Sequence, residues 1–363
     1  MRNLLTALAA TACLAPASAA AQQPPMPAGP TQQQTQPAAP VVEGVDFRVY
    51  DHRGRERSIA DVFRAMDETD ALLVGESHDD VVGHGVEAEI FMRAAERMGA
   101  VGEASGRLRP VVLSLEMFEA DVQYIVDEYL AGLIPEDQFK RSARPWDRYD
   151  SDYRPMVEYA RAHGLPVVAA NAPRRYVNRV SRLGPASLDP LSEAAKAFLP
   201  PLPYPGPSPE YAAKWDALMA EMMAEMRAQA DLAAAVSRHS AAAAAPVPPA
   251  PMPGAAPQGP PRDHGVGNAL YAQALWDAAM GHAVTAALDA HQDALVVHYV
   301  GSFHVEGGTG IPERIRDYRP RTRTLVVFLQ PAEDVNAWDD EEHRDLGDFV
   351  ILTRKPPEGI VGG

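Results

Sequence analysis

The sequence predicts an α/β fold, in which helices flank a mainly parallel sheet and a helical insertion covers the sheet as a lid. Two observations lead to this prediction. Short apolar runs bounded by turn residues recur along the chain, as is typical of strands buried on both faces. Helical patterns separate these runs, and such alternation indicates an α/β fold. The runs are Ala71–Gly75, Val111–Leu115, Leu165–Ala170, Ala294–Val300 and Thr324–Leu329.

Four segments between these runs have the apolar spacing of amphipathic helices. Val86–Met98 and Val122–Leu133 each place their apolar residues on one helical stripe. Pro155 at a first helical position and Gly164 at the exit bound a third helix. Met280–Leu288 marks the fourth. These helices are expected to cover the two faces of the sheet.

The two ends of the domain add antiparallel or peripheral strands. Asp46–Tyr50 and Glu56–Ile59 flank a turn at Asp51–Gly54 and predict a hairpin. Phe349–Thr353 is expected to add a last strand at an edge of the sheet.

Proline clusters divide the chain. Twenty of its 34 prolines lie in 22–42, 200–209 and 240–261. We therefore expect a Pro/Gln-rich disordered tether over 22–42 and an α/β domain over 43–355. Within that domain we expect a helical lid over about 188–239. A disordered Pro/Ala loop is expected to follow over about 240–262.

The first 21 residues have the pattern of an export signal. Arg2 precedes the apolar run Leu4–Leu14, and small residues up to Ala21 offer cleavage sites. Cys13 lies inside this segment, in a context that resembles a lipoprotein signal. The alternative is that Cys13 is discarded with the signal. The chain is therefore expected to be exported, and to be periplasmic or associated with the outer membrane.

Charge and cysteine content exclude several classes of function. The formal net charge of -16 argues against nucleic-acid binding, which needs an excess of Lys and Arg. A single cysteine cannot form an intramolecular disulfide or a cysteine-rich zinc site.

Polar residues follow the predicted strands where a parallel sheet binds its ligands. Glu76 and His78 follow the first strand, Glu116 follows the second, and His304 follows the fourth. Two carboxylates and two histidines can act as an acid/base pair or as ligands of a divalent metal. The alternative is a buried polar cluster that only satisfies hydrogen bonds. The third strand is followed by Asn171-Ala172-Pro173-Arg174.

The segments LLVGESHDD, LSLEMFE, NAPRRYV and YVGSFHVEGGTG, in this order, resemble the haem-binding uptake family called ChaN. That family lies in a superfamily with Tiki, TraB and relatives of erythromycin esterase. The resemblance implies an exported protein that binds iron-protoporphyrin through a tyrosine, at the lid or between two subunits of a homodimer. An outer-membrane haem or iron transporter is the implied partner.

The wider superfamily implies a different activity, a metal-dependent hydrolase. In Tiki-like members, the residues that match Glu76, His78, Glu116 and His304 carry the metal or the chemistry. The metal implied is Mn, Zn or Fe. This hydrolase is the alternative to haem binding.

Haem needs an apolar slot, an axial ligand and cations for its propionates. Met222 and Met226 lie at helical spacing in the insertion, and such a stripe also occurs in ordinary cores. Arg174 and Arg175 could meet the propionates, or could form a solvated helix face. Candidate axial ligands are Tyr149, Tyr153, Tyr204 and Tyr211 by family resemblance, and His84 and His239 by chemistry. The sequence thus predicts an apolar haem pocket between the sheet edge and the lid.

Overall fold

The computed structural model describes residues 40–101, 108–242 and 266–355, with side chains over 40–101, 108–233 and 267–355. The predicted export signal 1–21 with Cys13, most of the tether 22–42 and most of the loop 240–262 lie outside these ranges. The side chain of His239 also lies outside them.

The core of the domain is an eight-stranded sheet in the order β2-β1-β8-β7-β3-β6-β4-β5. Strands β3 to β8 pair in parallel, and β1 pairs antiparallel with both β2 and β8. The mainly parallel sheet and the N-terminal hairpin were both predicted, although the second hairpin strand ends at Arg57 and Ile59 starts a helix that Ser58 caps. The strands are β1 (Phe47–Asp51), β2 (Glu56–Arg57), β3 (Ala71–Glu76), β4 (Val111–Glu119), β5 (Val167–Asn171), β6 (Leu295–Gly301), β7 (Thr324–Ala332) and β8 (Phe349–Arg354).

The prediction that the last strand lies at an edge is wrong. Strand β8 lies between β7 and β1, and it is hydrogen-bonded on both sides. Val350, Ile351 and Leu352 are buried, and this continuous apolar run is the signature of a strand covered on both faces. The first strand of the domain therefore pairs with its last strand, and the hairpin forms the edge of the sheet instead.

The helices are α1 (Ile59–Ala65), α2 (Val81–Arg97), α3 (Gln123–Leu130), α4 (Glu136–Ala143), α5 (Tyr149–Asp152), α6 (Arg154–His163), α7 (Arg174–Leu183), α8 (Glu193–Lys196), α9 (Pro209–Ala242), α10 (Val266–Ala290), α11 (Ile311–Tyr318) and α12 (Asp340–His343). Short 3₁₀ turns occur at Met66–Glu68, Ala120–Val122, Pro185–Leu188, Ser302–His304 and Glu306–Gly308. All four predicted helices are present.

Helices cover both faces of the sheet. Helices α2, α3 and α6 pack on one face, where Leu72 and Val74 of β3 point. Helices α10 and α11 pack on the other, where Leu73 points. Because successive strand residues face opposite sides, both faces of β3 are apolar and the sheet lies in the middle of three layers.

The insertion between β5 and β6 is helical, as predicted. Helix α9 contacts the body through its first two turns, where Lys214 donates hydrogen bonds to the carbonyl oxygens of Phe303 and Glu306. From Glu221 to Ala233 every residue of α9 is exposed. No helix in the described ranges is long and apolar enough to cross a membrane.

Candidate functional site at the carboxyl edge of the sheet

The structure brings together the four strand-end residues that the sequence singled out. Glu76 is the last residue of β3, Glu116 lies in β4, and the strand between them is β6. His78 follows β3, and His304 ends the 3₁₀ turn after β6. Three neighbouring parallel strands therefore deliver two carboxylates and two histidines to one edge.

Gly301, the last residue of β6, lies next to both His78 and Glu116. Its backbone N–H donates a 2.8 Å hydrogen bond to Oε2 of Glu116. A Cβ atom on Gly301 would lie only 3.0 Å from the Cε1 atom of His78 and 3.6 Å from Oε2 of Glu116. A side chain here would crowd the ring of His78, so the glycine allows that ring to pack against the end of β6.

Glu76 is buried and three side chains hold its carboxylate. Its Oε1 atom accepts a 2.7 Å hydrogen bond from the hydroxyl of Tyr153 and lies 2.7 Å from Nδ1 of His78. Its Oε2 atom lies 3.2 Å from Nδ1 of His84. Burial favours the neutral acid, but the hydrogen bond from His78 and the charge of His84 outweigh it and lower the pKa of Glu76. Glu76 is therefore an anion in the fold.

His78 is the member of the cluster that solvent reaches, since half of its side chain is exposed. Its ring packs edge-on against Trp146, with 4.8 Å between the ring centroids. Burial lowers its pKa, but the hydrogen bond to Glu76 and the charge of that carboxylate raise it overall. His78 is thus suited to exchange a proton with a bound molecule.

His304 is buried and its orientation is fixed by Asp277 of α10. Its Nδ1 atom lies 2.6 Å from Oδ1 of Asp277, and its Nε2 atom lies 3.8 Å from Oε1 of Glu116. Gln273 places its amide nitrogen 3.3 Å from the same Nε2 atom. Burial lowers the pKa of His304, but the charge and hydrogen bond of Asp277 raise it overall. A carboxylate that fixes one ring nitrogen directs the other toward the site.

Asp277 and Glu87 are the site residues that sequence reasoning missed. Asp277 is a single buried acid in the apolar helix α10. A charged residue within an apolar helical pattern is unusual, and this feature of the sequence could have identified Asp277. Glu87 lies three residues after His84 on α2, which puts both on one helix face.

The four candidate haem tyrosines are all buried. The hydroxyl of Tyr204 donates a hydrogen bond to the carbonyl of Tyr271, and Tyr153 donates to Glu76. Tyr211 packs edge-on against Phe303. Burial raises the pKa of Tyr149, Tyr153, Tyr204 and Tyr211, which opposes the phenolate form that binds ferric iron.

The predicted haem methionines lie apart from Tyr211, and the predicted arginines are exposed. Met222 and Met226 are exposed on α9, eleven or more residues beyond Tyr211, which is about 16 Å along a helix. Arg174 and Arg175 are exposed at the start of α7. Arg175 forms an ion pair with Asp121 and its guanidinium stacks on the adjacent tyrosine ring. The structure therefore does not gather the predicted haem residues into one pocket.

Fold and site together define an α/β protein with a His/Glu cluster at the carboxyl edge of a parallel sheet and a projecting helix in its insertion. The family model described as haem-binding uptake, Tiki superfamily, ChaN matches residues 62–315. This match spans more than half of the chain, and the chain belongs to this family.

A solved structure of a family member supports the same fold. The chain is similar to ChaN of Campylobacter jejuni, a structure that shows cofacial haem binding, with a TM-score of 0.58 and 16% identity over 87% of this chain and 100% of that one. The type III effector HopBA1 and a mutant erythromycin esterase EreC in its open conformation each have a TM-score of 0.39 and 10% identity. They cover 81% and 78% of this chain, and 92% and 77% of their own. No curated protein matches this chain.

Proposed function

We propose that this protein is exported and binds iron-protoporphyrin on the outward face of α9, as part of haem or iron uptake. The observation that carries the proposal is the run of exposed methionines on that helix. Met222 is 46% exposed, Met223 51% and Met226 62%. Membership of a haem-binding uptake family supports the choice of ligand.

The chemistry of this face suits a porphyrin. Adjacent exposed apolar side chains mark an interaction surface, and methionine adapts its unbranched chain to flat partners. Arg227 lies four residues after Met223, one helical turn away, where it could meet a propionate. The long-range field of a chain with net charge -16 repels an anionic ligand, so capture depends on such local contacts.

The outward face is preferred because the space between the sheet edge and the start of α9 is already occupied. The rings of Tyr211 and Phe303 lie 5.4 Å apart there. The ammonium of Lys214 lies 2.6 Å from the carbonyl oxygen of Phe303 and 2.7 Å from the hydroxyl of Thr309. The haem site that the sequence placed between edge and lid is therefore proposed on the outer side of the helix.

A second copy of the chain is proposed to cover the other face of the bound haem. One helix face offers contacts to only one side of a porphyrin. ChaN of Campylobacter jejuni binds haem cofacially. Two copies that oppose their α9 methionines would bury two stacked haems and the apolar faces together. The homodimer is thus proposed to form with the ligand.

Hemin titration of the purified mature chain tests the proposal. We expect a saturable shift of the Soret band at micromolar hemin, together with dimer formation in sedimentation velocity when hemin is present. A linear, non-saturating spectrum identical to that of free hemin would refute it. A saturable shift without dimerisation would support the haem site but refute the proposed homodimer.

Export and the uptake partner are proposed from the sequence. Cleavage after residue 21 would release a periplasmic protein, whereas acylation at Cys13 would attach it to the outer membrane. Palmitate labelling of the wild type and of Cys13→Ala distinguishes the two. The proposed role next to an outer-membrane haem transporter predicts slower growth of a deletion strain on haem as sole iron source.

A metal-dependent hydrolase is the second candidate, favoured by the orientation of His304. Asp277 holds its Nδ1 atom, so Nε2 faces Glu116 beside the half-exposed His78. A bound divalent metal would supply a water of lowered pKa at this edge. The carboxylate of Glu76 would hold His78 in position to take up a proton. This candidate requires stoichiometric metal that a His78→Ala, His304→Ala double variant loses.

A further inference from the structure

A second group of acid and imidazole side chains lies behind the strand-end cluster. It consists of Glu76 on β3 with His84 and Glu87 on α2, and all three are buried. The Nδ1 atom of His84 lies 3.2 Å from Oε2 of Glu76 and 3.0 Å from Oε2 of Glu87. One imidazole nitrogen thus faces two carboxylate oxygens from two different elements.

Among the described residues, the other nitrogen of His84 faces only acceptors. Its Nε2 atom lies 3.3 Å from the carbonyl oxygen of His78 and 3.4 Å from Oδ2 of Asp152. A hydrogen on Nε2 satisfies these neighbours, so Nδ1 meets Glu76 and Glu87 with either a second hydrogen or a cation between them. A lone pair and two carboxylates at this spacing repel one another unless positive charge lies between them.

Two carboxylate oxygens of this group also accept no hydrogen bond from the residues that the structure describes. They are Oε2 of Glu76 and Oε1 of Glu87. Burying a carboxylate is costly unless it is paired, hydrogen-bonded or bound to a metal. Tyr153 and Tyr299 satisfy other atoms of the pair, namely Oε1 of Glu76 and the backbone carbonyl of Glu87.

We propose that Glu76, His84 and Glu87 bind one divalent first-row cation, of the Mn²⁺ or Zn²⁺ class, in the interior of the domain. Bonds of about 2.1 Å at right angles set neighbouring ligand atoms about 3 Å apart, which is the spacing found around Nδ1. Mixed imidazole and carboxylate ligands suit such cations.

The surroundings of the three ligands have the form that metal sites use. A ligating histidine usually donates its other N–H to a carbonyl or carboxylate, and here His78 and Asp152 provide both. Ligating carboxylates usually accept a further hydrogen bond, and Glu76 accepts one from Tyr153. The burial of all three ligands gives the cation a structural role. It would hold α2 against β3 and fix the carboxylate that His78 uses.

The competing explanation is that protons alone, without a metal, neutralise the charges of this group. Burial and the charge of Glu76 raise the pKa of Glu87. The hydrogen bonds and charges of Glu76 and Glu87 outweigh burial and raise the pKa of His84 to about 11, so a neutral Glu87 beside a charged His84 would also remove the repulsion. The two accounts differ in what Glu87→Gln does. Gln imitates a protonated Glu, but it lacks the negative charge of a metal ligand.

Metal analysis and thermal unfolding of the full-length chain test the proposal. The wild type is purified without chelator and measured as isolated, after EDTA dialysis, and after adding back Mn²⁺ or Zn²⁺. Glu87→Gln and His84→Ala are the site variants. His304→Ala and Asp277→Asn are the controls, because these two residues pair with each other and with Glu116 at the strand ends.

We expect about one metal per wild-type chain, a lower Tm after EDTA, and recovery on adding one of the two cations. Glu87→Gln should lose the metal and its Tm should no longer respond to EDTA, while both controls should keep the metal. Wild type without metal, and without any Tm response to Mn²⁺ or Zn²⁺, would overturn the proposal. Metal lost from the controls but kept by Glu87→Gln would also overturn it and place the ion in the strand-end cluster. Neither result bears on hemin binding at α9.

Discussion

The hydroxyl of Tyr153 donates a 2.7 Å hydrogen bond to Oε1 of Glu76, which lies 77 positions earlier in the chain. Glu76 belongs both to the strand-end cluster and to the buried group with His84, so this bond positions a carboxylate that both sites share. Tyr153 was also a predicted axial ligand of haem. Its engagement with Glu76 and its burial make it a support of the site instead.

Removal of that hydroxyl should therefore cost stability but not haem binding. We expect Tyr153→Phe to lower the free energy of unfolding by about 1–3 kcal/mol, because a buried carboxylate loses a donor. Its hemin affinity should stay that of the wild type. Urea unfolding and hemin titration measure the two quantities. A variant of normal stability that no longer binds hemin would restore Tyr153 as the ligand.

Asp277 should control the protonation of His304. Its charge and hydrogen bond raise the pKa of His304 against the opposing effect of burial, so Asp277→Asn should lower that pKa. The histidine ring resonances followed by NMR against pH give the value. Asp289→Asn is the control on the same helix, because Asp289 pairs with Arg319. An unchanged pKa of His304 in Asp277→Asn would contradict the assigned pairing.

His298 should make the fold sensitive to acid. It is fully buried beside Ser114, and burial together with His304 lowers its pKa to about 3. The unfolded chain binds a proton near the ordinary value of about 6.5, so the unfolded state gains protons first as pH falls. His298 thus lowers the free energy of unfolding by about 1.4 kcal/mol per pH unit between these two values.

Replacement of His298 should remove this slope. We expect the unfolding free energy of His298→Asn to depend less on pH between about 6 and 4 than that of the wild type. Denaturant unfolding at several pH values measures it, with His163→Asn as the exposed control. A slope equal to that of the wild type would show that His298 is not neutral in the fold.

Lys214 should hold the base of α9 on the body. Its ammonium donates to the carbonyls of Phe303 and Glu306 and to the hydroxyl of Thr309. Lys214→Met leaves these acceptors without their donor, at a cost of about 1–3 kcal/mol. Hydrogen exchange should become faster in the first turns of α9. Lys140→Met, at a surface ion pair with Asp150, should leave α9 unchanged.

The apolar runs and strand-end motifs were sufficient to predict the parallel sheet and the convergence of Glu76, His78, Glu116 and His304. Both depend on local patterns, since the carboxyl ends of parallel strands meet at one edge. The place of Phe349–Arg354 inside the sheet was not predictable, because pairing with β1 joins segments about 300 residues apart.

The haem residues were the weakest part of the sequence prediction. Spacing shows that Met222 and Met226 share a helix face, but not whether anything covers that face. The tyrosines predicted as haem ligands lie in the core. Tyr149 packs against Phe118 of β4, and Tyr153 donates a hydrogen bond to Glu76 of β3. Asp277 was missed since its partner His304 is 27 positions away.

Hemin affinity of a Met222→Glu, Met226→Glu double variant tests the central claim most directly. Leu133→Glu is the matched control, because Leu133 is 74% exposed but lies away from α9. The account predicts a loss of at least about tenfold in affinity for the double variant, equal to about 1.4 kcal/mol, and wild-type binding for the control. Soret titration of the three proteins gives the result. Binding by the double variant as tight as that of the wild type would contradict a haem site on α9.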